Sequence, residues 1–277
     1  MSLKPPEPSP HQGVFPCVSE VEGRSVKPMQ KATRWLLIVL CAVALIQTPK
    51  AASAKVSVEE EKRIGARAAA EIDRKEKATT EGEYARKVIE IGQRLVKAAE
   101  NKDFQFSFKV IDKKEVNAFA LPGGYIYVYT GLKKAAGTDD QLAAVLAHEI
   151  IHVTNHHWAR QYEKAQQRNL ILNLGLLITK AGRNTQILAG VIDFTEGNKY
   201  SRRDESNADY DGMELMVKAG YNPDGMVEML QNLGKISKDT PKLLAWTSDH
   251  PRISKRVDEA KQHAEEIRKR QHQSMGS

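Results

Sequence analysis

The sequence predicts an α+β fold that is mainly helical, with a small mixed or antiparallel sheet packed beside one central helix. Three observations lead there. Apolar residues recur at helical spacing through most of the chain beyond residue 55. Between residues 104 and 132 that period gives way to strand-like alternation interrupted by a Pro-Gly-Gly turn. Shortly afterwards comes a run of strong helix formers, Gln141-Leu-Ala-Ala-Val-Leu-Ala147, which continues into two histidines four positions apart.

Taken in chain order, Ser57 and Glu60 make a capping box that opens a helix toward Lys77. Glu83 to Ala99 places Val88, Ile91, Leu95 and Val96 on one helix face. Phe104 to Val110 alternates as a strand does. Asn117–Ala120 and Tyr125–Tyr129, rich in aromatic and β-favouring residues, flank Pro122-Gly123-Gly124 and read as a β-hairpin. Period two puts Tyr125, Tyr127 and Tyr129 on one face, which suits packing as well as substrate contact. Thr138-Asp139-Asp140 supplies N-cap chemistry for the next helix. Asn169 to Ile178 is apolar on several faces but too short to span a bilayer, so it reads as a buried or lid-forming helix, with contact to a membrane surface as the alternative. Further helices are expected over Tyr200–Met216, from Pro223 through Asn232, and from about Pro251 to Gln271. No internal repeat is visible.

The chemistry lies in His148-Glu149-Ile150-Ile151-His152. Positions four apart share a helix face, so the two imidazoles can converge on one tetrahedral ion. Glu149 is rotated by about 100° from His148. There it can take the proton of an attacking water without ligating the metal. A catalytic zinc usually has three protein ligands, so one more is required. His156 lies roughly 12 Å along the same helix axis from His148, too far for one helix to bring all three together. Asn155 and Trp158 stand where a metzincin has Gly and His. No acidic residue occurs from Lys164 to Ile192. The first well-placed carboxylates are Glu205 and Asp209, one turn apart on the helix after Tyr200. Glu205 can ligate the metal while Asp209 accepts the free ring N–H of a ligand histidine. The alternative reading is a solvated acidic face balanced by Arg202 and Arg203.

Four blocks in order carry a family resemblance: Asn117 to Leu132, His148-Glu-Ile-Ile-His-Val153 with His157, Ser201-Arg202 leading to Glu205 and Asp209, and His250-Pro251 followed by Arg256. With them the chain resembles the gluzincin metallopeptidases that include HtpX-like proteases and CAAX prenyl endopeptidases, most closely their small soluble bacterial members. The resemblance implies a zincin-like metalloprotease fold and one Zn2+ per chain on His148, His152 and Glu205. It implies Glu149 as general base, Asp209 as support for a zinc histidine, and His250 and Arg256 near the substrate and the developing oxyanion. If the strand at Asn117, Ala118 and Phe119 is a sheet edge, an extended peptide can bind it through main-chain hydrogen bonds, largely independently of side chains.

Trp35 to Ile46 is an uncharged apolar run following Lys31 and Arg34 and preceding Ala52-Ser53-Ala54, the plan of a signal peptide cleaved near Ala54. Residues 1–54 are therefore expected to be an N-terminal extension and signal peptide, with Met29 a better-proportioned start, and residues 55–277 a single metallopeptidase domain. Both cysteines, Cys17 and Cys41, precede the cleavage point. Leu40 is too large for a usual lipobox, so the expected destination is the periplasm, with retention of the apolar segment as an anchor the alternative. The formal net charge of +7 shows no compact basic stripe and makes no case for nucleic acid. The expected function is zinc-dependent endopeptidase action on unfolded or misfolded envelope proteins. The rival from another class is a zinc-stabilised periplasmic chaperone or assembly factor, and an aminopeptidase is disfavoured because no G-x-M-x-N motif precedes the helix.

Overall fold

The computed structural model describes residues 55–101, 103–172, 200–246, 250 and 253–275. The expected signal segment and most of the apolar Asn169–Ile178 stretch lie outside these residues. Among those described, no helix is long and apolar enough to cross a membrane.

The chain runs α1 (Val58–Glu76), α2 (Glu83–Ala98), β1 (Ser107–Ile111), β2 (Ala118–Leu121), β3 (Tyr125–Tyr129), a single turn α3 (Leu132–Ala135), α4 (Asp139–Thr154), α5 (His157–Leu172), α6 (Arg202–Lys218), α7 (Asp224–Asp239) and α8 (Ile253–Met275). This is the mainly helical α+β architecture that the sequence predicts. Ser57 caps α1 as expected, its Oγ accepting from the Glu60 N–H at 3.1 Å. Helix α7 outruns its expected end at Asn232, because Leu233 and Ile236 continue its apolar spacing.

The sheet is mixed, in the order β1-β3-β2. The hairpin forms as expected, β2 pairing antiparallel to β3 with Ala118 opposite Val128. Strand β1 lies on the far side of β3 and parallel to it, Ser107 opposite Tyr125. It starts at Ser107 rather than Phe104, because the Asn101 Oδ1 accepts from the Asp103 and Phe104 N–H groups and holds that segment in a turn. Among the described residues, strand β2 is therefore an edge.

Side-chain alternation sends the two faces of the sheet to two cores. Phe108, Val110, Ala118, Ala120, Ile126 and Val128 join the larger core around α4. Phe119, Leu121 and Tyr127 face α1, packing with Ile64, Ala68 and Ile72, and Tyr125 and Tyr129 pack against the same cluster. The three β3 tyrosines thus share one face, as period two dictates, and that face is packed. The Tyr127 hydroxyl donates to Asp73 Oδ1 at 3.0 Å, and Lys109 reaches the same carboxylate, fastening α1 to the sheet.

Helix α4 is buried from Gln141 to Val153 on every side, because α2, α6, α7 and β2 all pack on it. A helix apolar all round demands such a place, and His148, Glu149 and His152 are carried inside with it.

Helix α1 and the hairpin turn meet at Gly65. A Cβ there would lie 1.6 Å from the Pro122 carbonyl oxygen, a backbone atom with little freedom to move. Gly65→Ala is expected to lower stability by about 3 kcal/mol through overpacking. Urea denaturation followed by circular dichroism checks this, and an unchanged midpoint would contradict the close approach.

Candidate metal centre

Three elements bring the site together. Helix α4, capped by Thr138 Oγ1 accepting from the Gln141 N–H, supplies His148, Glu149 and His152. Helix α6, capped by Ser201, supplies Glu205 and Asp209. The two helices approach closely at Gly212, where a Cβ would already touch the His148 backbone nitrogen at 3.4 Å. His250 and Arg256 arrive from the start of α8 and the segment before it. The His250 N–H donates to the Trp246 carbonyl at 2.9 Å, and the Trp246 N–H to that of Val116, at the entry to β2.

The donor atoms of His148, His152, Glu205 and His250 all lie within 4.8 Å of one another, and all four side chains are buried. His148 Nε2 is 2.9 Å from His152 Nε2 and 3.2 Å from His250 Nδ1, while His250 Nδ1 is 2.9 Å from Glu205 Oε1. Nitrogens ligating one tetrahedral zinc stand about 3.3 Å apart, given metal–nitrogen bonds near 2.0–2.1 Å. The three separations fall at or a little below that value, and His152 Nε2 lies 3.5 Å from Glu205 Oε1. Glu149 is outside the ligand group, with Oε1 3.5 Å from His250 Nε2, as its rotation around α4 predicts.

Each α4 histidine is held from behind. Asp209 Oδ1 sits 2.9 Å from His148 Nδ1, which places the proton there and turns the Nε2 lone pair into the cluster. Asp209 in turn accepts from Arg256 Nε and Nη2, both at 2.6 Å. Arg256 Nη1 stands 2.8 Å from Glu205 Oε2, an ion pair not aligned as a hydrogen bond. Arg256, which the resemblance sets near the substrate and the developing oxyanion, lays its guanidinium on these two carboxylates. Behind His152 stands His157, with the two Nδ1 atoms 2.7 Å apart.

Electrostatics follow this arrangement. Burial pushes the His148 and His152 rings down, so both are neutral and ready to ligate at neutral pH. Burial likewise pushes His157 down, to about 4. Burial pushes the Glu205 carboxyl up, but His250 and Arg256 overcome it and hold it well below the usual carboxylate range. Asp209 is held down in the same way by Arg256 and His148. For His250, burial opposes the charged ring, yet Glu205 and Glu149 raise its pKa above the ordinary value. Two aromatic rings line the cluster: Tyr200 stacks on His152 with centroids 3.9 Å apart, and Trp246 on His250 at 4.6 Å. The donor set fits a divalent cation, because buried neutral imidazoles and an ionised carboxylate converge where one positive centre satisfies them all.

With this geometry, the model for Peptidase family M48 matches residues 83–264. The chain belongs to that family. Beta-barrel assembly-enhancing protease of Yersinia pestis is 30% identical over 192 residues, covering 64% of this chain and 38% of that protein. Its namesake in Escherichia coli O157:H7 is 33% identical over 196 residues, with the same two shares. The mitochondrial metalloendopeptidase OMA1 of Schizosaccharomyces pombe is 29% identical over 170 residues, covering 61% of this chain and 50% of that protein. The chain therefore spans under two fifths of the length of the first two relatives.

Within this M48 site the structure brings together six of the sequence-expected residues, His148, Glu149, His152, Glu205, Asp209 and His250, with Arg256 directly behind. Asn117 is buried just before β2, its carbonyl accepting from the Tyr129 N–H at 2.9 Å, and Ala118 and Phe119 lie in the edge strand. Sequence reasoning did not find the roles of His157, Trp246 and Tyr200. For His157 the signal was its place in the second family block. No spacing rule points to Trp246 or Tyr200.

Arg256→Leu would leave Asp209 and Glu205 buried without their cation. A loss of about 3–5 kcal/mol in the metal-free protein is expected. Chemical denaturation in the presence of a chelator measures it, and a change below about 1 kcal/mol would show that water, not Arg256, carries those charges.

Proposed function

We propose that this chain is a zinc endopeptidase of unfolded or misfolded envelope proteins, with residues 55–277 as the exported, periplasmic domain after cleavage near Ala54. One observation carries the activity: four buried donor atoms converge beside an ionisable carboxylate on the same helix. Family membership supports it, as does the naming of relatives as proteases. The substrate class rests on the family resemblance, with relatives named for beta-barrel assembly in its favour, and the compartment on the signal-like segment.

In this reading His148, His152 and Glu205 hold the metal. Zinc, when bound there, supplies Lewis acidity toward water and the scissile carbonyl. Glu149 accepts the proton of the attacking water and delivers it to the departing amine. Asp209 and Arg256 keep His148 in its ligating tautomer and Glu205 ionised. The substrate lies along β2. Because Asn117 and its period-two partners turn their hydrogen-bonding groups to β3, Ala118 and Ala120 turn theirs to the outer edge, where an extended peptide can pair. Main-chain pairing implies weak side-chain selectivity. Glu149→Gln is expected to keep stoichiometric zinc and to lower cleavage of a denatured protein by at least about a hundredfold. Metal analysis beside a casein digestion tests it, and a variant with ordinary activity would refute Glu149 as the base.

His250 favours a second reading. Four protein ligands make a closed, structural type of zinc site, whereas catalysis needs one open position. With His250 Nδ1 seated among the donors, the site is latent, and a zinc-stabilised binding or assembly role follows until His250 withdraws. His250→Ala separates the alternatives. Higher turnover than the unaltered protein marks His250 as a latch, and a loss of about a hundredfold or more marks it as the oxyanion's partner.

A further inference from the structure

His157 takes no part in the chemistry above, yet it is the most completely enclosed histidine of the site, at 0% exposure. Its position is built. Helix α4 ends at Thr154, and His156 adopts a left-handed conformation, φ 52°, before α5 begins at His157. A non-glycine backbone in that region is uncommon, and the buried Glu61 anchors this one, its Oε1 2.5 Å from His156 Nδ1. The reversal points the next residue back at α4, bringing the His157 Nδ1 to 2.7 Å from the His152 Nδ1. On the far side, the His157 Nε2 faces Asp204 Oδ1 at 3.8 Å. Asp204 is itself fixed by Ser201 Oγ at 2.5 Å and by Arg160 Nη2 at 3.0 Å.

Two Nδ1 atoms at this distance must share a single proton, one ring donating and the other accepting. The Asp204 charge, 3.8 Å from the His157 Nε2 and not hydrogen-bonded to it, biases the choice. A carboxylate beside the His157 Nε2 favours the proton on that nitrogen, leaving the His157 Nδ1 as an acceptor. The His152 Nδ1 then donates, and its Nε2 presents a lone pair to the ligand cluster.

We infer that His157 is a positioning residue for the metal, holding His152 in its ligating tautomer through a neutral imidazole backed by Asp204 and Arg160, as Asp209 and Arg256 do for His148. The inference rests on the metal reading of the cluster. It names a second, independent support with different chemistry: an imidazole acceptor in place of a carboxylate.

The test is zinc affinity of the purified full chain, measured by competition with a chromophoric chelator. His157→Leu removes the acceptor and is expected to weaken zinc binding roughly 10- to 100-fold. His157→Asn carries its oxygen two bonds from Cβ, as the imidazole carries Nδ1, and is expected to recover most of that loss. His157→Gln places its oxygen one bond further out and is expected to remain impaired. A role in filling space or in polar packing would not separate Asn from Gln. Asn and Gln variants of equal affinity, or a Leu variant that binds zinc as tightly as the unaltered protein, would overturn the inference, and the Asn–Gln comparison decides it even where the Leu variant does not fold. Failure of the unaltered chain to bind zinc would instead overturn the reading of the cluster itself.

Discussion

The fold is organised around a guanidinium that makes a buried acidic cluster tolerable. Asp209 and Glu205 lie inside the protein, where an unpaired carboxylate costs several kcal/mol. Arg256 answers both, with Nε and Nη2 on Asp209 and Nη1 beside Glu205. Its aliphatic stem and plane are accommodated too, since the guanidinium lies 4.7 Å from the centroid of Trp246. Without that cation α6 could not bring two carboxylates against the buried face of α4. Helices α6 and α8 are therefore joined through the metal site by charge as well as by apolar packing.

Trp246 extends this constraint to the sheet. One face of its ring meets Arg256 and it stacks on His250, while its backbone N–H is bound to the Val116 carbonyl ahead of β2. Trp246 thus ties the entry of β2 to a residue of the cluster, since its own carbonyl accepts from the His250 N–H.

Much of this was legible in the sequence, for identifiable reasons. The α4 motif could be read because helical spacing alone brings His148 and His152 together and sets Glu149 aside. Glu205 and Asp209 were legible because a long acid-free stretch removes nearer candidates and their own spacing is one turn. The hairpin followed from Pro122-Gly123-Gly124 between β-favouring runs. The parallel pairing of β1 with β3 was not legible, since alternation identifies a strand and not its neighbour. His157 escaped for a different reason. Helix arithmetic assumes an unbroken helix, whereas the left-handed His156 turns the chain back, and no local residue pattern announces that a non-glycine will adopt such a conformation. Trp246, Tyr200 and the Arg256 contacts depend on tertiary packing that carries no spacing rule.

The charge balance of the centre explains why the two α4 histidines have different supports. Glu149, Glu205 and Asp209 are three carboxylates set against one guanidinium, so with neutral imidazoles the buried cluster is acidic by an amount that one divalent cation offsets. A second carboxylate behind His152, in the place His157 occupies, would exceed that balance and raise the cost of burial. A neutral imidazole performs the same orienting task without adding charge, and leaves Asp204 and Arg160 to neutralise each other nearer the surface. The upward shift of His250 belongs to the same balance. In the absence of a cation, this is the ring that Glu205 and Glu149 favour in its charged form.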